Sequence, residues 1–196
     1  MAVPLPATTM TLRMDLTHQF LIAMPAMADP NFSGSVVYVC EHGEKGALGL
    51  VINRPTELTL ERLFDKIDLK LEIAPWREAP VYFGGPVQTE RGFVLHAPTG
   101  NYSSSLKVAE GVTLTTSKDV LEAVAQGEGP QRMLVTLGYA GWGAGQLESE
   151  VAQNAWLTVQ ADLDIIFDTP VEQRFSAALG LLGIDGSQLT GQAGHA

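Results

Sequence analysis

Arg132-Met133-Leu134-Val135-Thr136-Leu137-Gly138-Tyr139-Ala140-Gly141-Trp142-Gly143-Ala144-Gly145-Gln146-Leu147-Glu148-Ser149-Glu150 is the stretch that decides the fold class. Its first six residues form an apolar run that reads as a strand. The glycines that follow read as a turn, because glycine tolerates positive φ and close backbone approach. Residues 144–153 then read as a helix. A strand, a glycine-rich turn and a helix N-terminus in that order can cradle an anion. The phosphate-loop patterns do not match: the segment has no lysine, and Gln146 stands where the third glycine of G-x-G-x-x-G belongs. Glu148 and Glu150 would also occupy the helix's positive end. The plainer reading is a close-packed turn with Trp142 plugging the core. Gly138, Tyr139, Trp142, Gln146 and Glu148 are carried forward as candidate ligand-facing residues.

Outward from this segment, strand signals are frequent. Short apolar or β-branched runs lie at 20–24, 35–40, 47–52, 80–83, 92–96, 105–108, 113–115, 156–160 and 165–167, each flanked by Gly, Pro or polar residues. Helix signals are fewer. Thr59 precedes Leu60, Leu63, Phe64 and Ile67 at helical spacing. Ser117 is placed to cap 118–126, with Gly127 as its stop. Thr169-Pro170-Val171-Glu172 has the form of a capping box with proline at the first helical position. Strands outnumber helices and do not alternate with them, which predicts an α+β fold. No internal repeat or low-complexity linker divides the chain. Residues 1–13 read as a flexible arm with Met14 as an alternative start, 14–185 as a single domain, and the Gly-rich 186–196 as a disordered tail.

The chain has 196 residues, 12 Lys and Arg against 22 Asp and Glu, and a net charge of -10. Nucleic-acid binders carry basic stripes, and none is visible here, so direct nucleic-acid binding is not expected. No apolar run approaches the ~18 residues of a membrane span, and no membrane association is expected. Ala26-Met27-Ala28 has the spacing of a signal-cleavage site. The segment before it lacks a basic start and is broken by Pro4 and Pro6. These features, with a single cysteine, predict a cytoplasmic protein.

Few residues are typed for chemistry. Cys40-Glu41-His42 ends a strand, and period-two alternation would put thiol and imidazole on one face. There an imidazolium would activate the thiol as a nucleophile. A lone Cys in an apolar strand is more often a small buried residue. His96 closes the strand at 92–96 and reads as a structural histidine with a hydrogen-bond partner, carried forward as a candidate pocket residue. Asn53-Arg54-Pro55 reads as a strand-ending turn whose Arg54 could hold an anion. Gly84-Gly85-Pro86 reads as a turn whose glycines would let a ligand reach the backbone. No metal-ligand set, cofactor motif or G-x-S-x-G occurs, so no metal and no cofactor are expected.

Taken in order, several pieces are similar to the YqgE/AlgH family. They are Phe20–Pro25, Asp29-Pro30-Asn31-Phe32, Ser35–Cys40, Gly46–Pro55 (GALGLVINRP), Gly84–Val87, and Gly138–Glu150 with Asn154, Trp156 and Leu157. The resemblance runs from about Leu16 to Ile184. It implies a bifurcated, mostly antiparallel sheet, part of it closed as a small barrel, with flanking helices. It also implies a bacterial cytosolic protein and carries a label as transcriptional regulator, but no established catalytic residues. The expected function is therefore a non-enzymatic regulatory or binding protein acting through a protein or small-molecule partner. The alternative is a hydrolase or thiol-dependent enzyme using Cys40, His42 or His96 with the 138–150 turn.

Overall fold

The computed structural model describes residues 14–187 and 189. Its elements, in chain order, begin with strands β1 (Gln19–Ala23), β2 (Val36–Gly43), β3 (Gly46–Val51) and β4 (Pro55–Thr59), then helix α1 (Leu60–Lys66). Next come β5 (Pro80–Phe83), β6 (Val87–Ala97), β7 (Ser105–Ala109), β8 (Val112–Thr115) and α2 (Asp119–Ala125). The chain closes with β9 (Arg132–Gly143), α3 (Gln146–Ala152), β10 (Trp156–Gln160), α4 (Leu163–Phe167) and α5 (Arg174–Gly180).

The α+β class holds, and the sheet is bifurcated. The strand order is β10-β1-β2-β3-β9-β6-β8-β7, with β4 and β5 branching from β9. The branch point is β9 itself. Its first half runs parallel to β5 at Tyr82↔Thr136 and antiparallel to β6 from Gly92↔Leu137 to Ala97↔Arg132. Its second half pairs instead with β3, from Gly46↔Gly143 to Gly49↔Ala140. All but the β5–β9 pair are antiparallel, and the sheet curls into a half-barrel.

Three apolar clusters hold the layers together. The inner one joins Phe20, Tyr38, Leu50, Leu95 and Leu134 to Ile166 of α4 and Leu179 of α5. A second seats Leu147 of α3 on Val37, Val39, Trp142 and Trp156. The third packs Leu60 and Phe64 of α1 and Val120 and Val124 of α2 on Val81, Val94 and Val135. Each fully buried Leu, Ile or Phe contributes about 1.5–3 kcal/mol.

Several local expectations change. The glycines after Leu137 are not a turn: residues 138–143 continue β9, and only Ala144-Gly145 turn before α3. Residues 165–167 belong to a helix, because Asp162 Oδ1 accepts the Asp164 N–H at 2.9 Å and starts α4 there. Thr59 does cap α1. Ser117 does not cap α2, since its hydroxyl donates to Asp119 Oδ1 and accepts from Ser104 N. Pro170 has ψ 141° and stays outside the helix, while Thr169 donates to the Asp164 carbonyl, so the last helix starts only at Arg174. Gly186, Ser187 and Leu189 are helical, and Leu189 is buried in the inner cluster, so packed chain extends past residue 185. The arm at 1–13 and the rest of the tail lie outside the described residues.

Candidate functional site

The candidate residues do not share one pocket. Gly84, Gly85 and Gly138 meet at the fork of the sheet. A Cβ on Gly138 would lie 2.3 Å from the Gly85 carbonyl oxygen, and one on Gly85 would lie 2.1 Å from the Tyr139 carbonyl carbon. Gly138 also has φ 79°, a left-handed conformation that costs other residues energy. The close approach expected of a ligand is made by the protein's own backbone. Gly84 adds to the seam, donating to the Leu137 carbonyl and accepting from Val51 N.

Asn53 and Arg54 act as clamps. Asn53 Oδ1 accepts from Val36 N at 2.9 Å, and its amide donates to Gly34 O. Arg54 donates to the carbonyls of Pro30, Asn31 and Ser33 and lies over the Phe83 ring at 5.7 Å. The guanidinium fork therefore organises the 29–34 loop rather than an anion. His96 is fully buried. Its Nδ1–H donates to Pro98 O, so Nε2 accepts from Thr115 Oγ1 at 2.7 Å, and burial lowers its pKa.

Cys40 and His42 separate. A bulge between Val39 and Glu41 adds one residue to β2 and reverses the alternation behind it. Cys40 stays with Tyr38 in the inner cluster, where burial pushes the thiol pKa up. His42 lies across from Ala47 on the opposite face. Its Nδ1 accepts from Leu16 N at 2.9 Å, which leaves Nε2–H to donate to Glu148 Oε1. Neither ring nitrogen is free to act as a base. Glu148 is held below the usual carboxylate range by its own backbone N–H and then by His42. Thus Glu148 itself takes up the N-terminal end of α3, while Gln146 accepts from Gly143 N and donates to Glu150. Glu150 accepts from the indoles of Trp142 and Trp156.

Among the open clefts is a trough along the curled sheet. It comprises two clefts that share Leu48 and Tyr139. One, of about 590 Å³, is bounded by the β2–β3 hairpin from Glu41 to Leu48 with Tyr139, Gly141 and Trp142. The other, of about 400 Å³, is lined by Leu48, Gln88, Arg91, Phe93, Leu106, Leu114, Thr116 and Tyr139, with Ser104 and Ser105. Tyr139 packs edge-on against Phe93 at 5.4 Å. Of the sequence candidates, only Tyr139, Trp142 and His42 reach the trough. Arg91, Phe93, Leu106 and Leu114 carry no motif; each looks like an ordinary strand residue until the sheet curls around it.

The family model described as AlgH-like matches residues 20–187. A UPF0301 protein of Cupriavidus metallidurans is 71% identical over 182 residues, covering 93% of this chain and 96% of the relative. One from Burkholderia multivorans is 69% identical over 186 residues, covering 94% and 97%. The solution structure of the AlgH protein from Pseudomonas aeruginosa superposes with a TM-score of 0.76 at 51% identity, over 100% of both chains. A crystal structure of a Corynebacterium diphtheriae protein, at 18% identity and a TM-score of 0.67 over 84% and 86% of the two chains, is alike in fold. No helix among the described residues is long and apolar enough to cross a membrane. With almost all of its packed residues inside that family model, this chain belongs to the AlgH-like, UPF0301 family.

Proposed function

We propose that the protein is a non-enzymatic binding or regulatory protein of the cytoplasm, which holds a small ligand or a segment of a partner in the trough of its half-barrel. One observation carries this reading: the groups typed for chemistry are bound into the fold, while the trough is lined by apolar and aromatic side chains, of which Leu48, Leu106 and Tyr139 are half-buried. Cys40 is buried with a raised thiol pKa, and both ring nitrogens of His42 and of His96 are hydrogen-bonded. Those bonds weigh against the thiol-dependent alternative, because a nucleophile must be ionised and reachable. The net charge of -10 weighs against regulation by direct contact with DNA.

Ligand-dependent thermal shift and partner capture, each repeated with Leu48→Glu, test the reading. The expected result is binding to the wild-type protein that the variant loses while remaining folded. Turnover of a substrate by the purified protein, abolished by the same substitution, would overturn it.

A further inference from the structure

The geometry points to a carboxylate subsite at Arg91, so that the trough takes a small amphipathic acid with an aliphatic or aryl body. This deepens the binding-protein reading and rests on it. The apolar half of the argument is the floor. Leu48, Phe93, Leu106, Leu114 and Tyr139 all belong to or pack on the inner cluster and line one cleft of about 400 Å³. That volume lies within the ~300–1,000 Å³ range of small-molecule sites.

The polar half is Arg91. Its guanidinium lies over the Phe93 ring at 5.6 Å, and Nη1 donates to Gln88 Oε1 at 3.2 Å. No carboxylate among the described residues lies within ion-pairing distance of it. Arg54, Arg62 and Arg174 also lack a carboxylate; Arg54 and Arg174 spend their donors on backbone carbonyls, and Arg62 lies exposed on α1, outside the lining of this cleft. Arg91 makes no bond to a backbone carbonyl among the described residues. Stacking on Phe93 holds its fork at the rim of the apolar floor. Thr116 lies two residues beyond Leu114, and Ser104 two before Leu106, so both share the floor's face. Neither hydroxyl is hydrogen-bonded among the described residues. A planar fork with two hydroxyl donors beside it matches a monoanionic carboxylate. A phosphate dianion would call for more than one cation. A cationic ligand would be repelled.

The test uses the full chain with decanoate, decanol and acetate as probes, read by NMR of the leucine methyl groups. Decanoate is expected to shift the methyls of Leu48, Leu106 and Leu114 saturably, and acetate to leave them unmoved at the same concentrations. Arg91→Gln should weaken decanoate about tenfold or more, the worth of a charge-assisted hydrogen bond, and leave decanol binding unchanged. Thr116→Val should weaken decanoate by a smaller factor. Equal binding of decanoate by wild type and Arg91→Gln, or shifts confined to residues outside the cleft, would overturn the subsite. If decanol binds wild type as tightly as decanoate, the subsite falls and the trough remains a binding site. Turnover of an acyl substrate with affinity still dependent on Arg91 would do the reverse, removing the non-enzymatic reading and keeping the subsite.

Discussion

The fork of the sheet and the trough beside it are a few residues apart on β9, and they use their residues in opposite ways. At Gly84, Gly85 and Gly138 the backbone touches itself, leaving no room even for a methyl group. One residue on, Tyr139 turns its ring into an open cleft. The same contrast separates two arginines. Arg174 is 6% exposed and spends itself on the carbonyls of Thr169 and Ile52 while stacking on Tyr82. Arg91 stacks on Phe93 and faces solvent. Most residues that look functional are here consumed by architecture, and the open trough is built largely from residues that look ordinary.

The sharpest way to break this contrast is to crowd the fork. Gly138→Ala combines a positive φ with a Cβ 2.3 Å from the Gly85 carbonyl oxygen. Because the obstacle is the backbone joining β5 to β6, it cannot yield without disturbing the pairing of both strands with β9. The substitution should cost about 3–4 kcal/mol or prevent folding, as read by urea denaturation. An unchanged midpoint would mean that the fork is not a packing seam.

Next in size is Arg174→Met. The methionine keeps much of the packing on Tyr82 but leaves the Ile52 and Thr169 carbonyls without their guanidinium donors. A loss of about 2–3 kcal/mol is expected. Stability equal to wild type would mean that the guanidinium contributes no more than its bulk.

A smaller effect comes from His96, which burial keeps neutral. Its folded pKa lies below the value of about 6.5 in an unfolded chain. Its contribution is therefore complete above pH ~6.5 and is lost as the pH falls toward the folded pKa. Within that window a single histidine can supply at most about 1.4 kcal/mol per pH unit. The urea midpoint of wild type should drop between pH 7 and pH 5.5, and His96→Gln should flatten that drop. Equal slopes in the two proteins would show that His96 does not sense the change.

The fold was legible in the sequence to a considerable extent, and the reasons for what was not are physical. Short β-branched runs bounded by turn residues marked most strands, because that pattern is local. Gly138–Gly143 reads as a turn because glycine signals one by composition, whereas Gly138 here lets β9 touch the Gly84-Gly85 connection between β5 and β6, more than fifty residues away in the chain. The bulge at Cys40 was invisible for a related reason. One extra residue in β2 shows only against β3, yet it sends the thiol and the imidazole of His42 to opposite faces. The trough was hardest to read, since Leu48, Arg91, Leu106 and Leu114 come from four different strands and converge only when the sheet curls.

The smallest effect on stability bears most directly on the two arginines. Arg91→Gln removes a guanidinium like that of Arg174, stacked like it on an aromatic ring. It nevertheless leaves no buried carbonyl without a donor, because Arg91 bonds only to the side chain of Gln88. Exposed substitutions of this kind usually fall within about 0.5 kcal/mol of wild type. Arg91→Gln should therefore unfold at the wild-type urea concentration, in contrast to Arg174→Met. A loss as large as that of Arg174→Met would place Arg91 among the architectural residues and leave the cleft floored by Phe93 and Leu114 without its cation. An unchanged midpoint combined with weaker decanoate binding would assign Arg91 to the ligand and Arg174 to the fold.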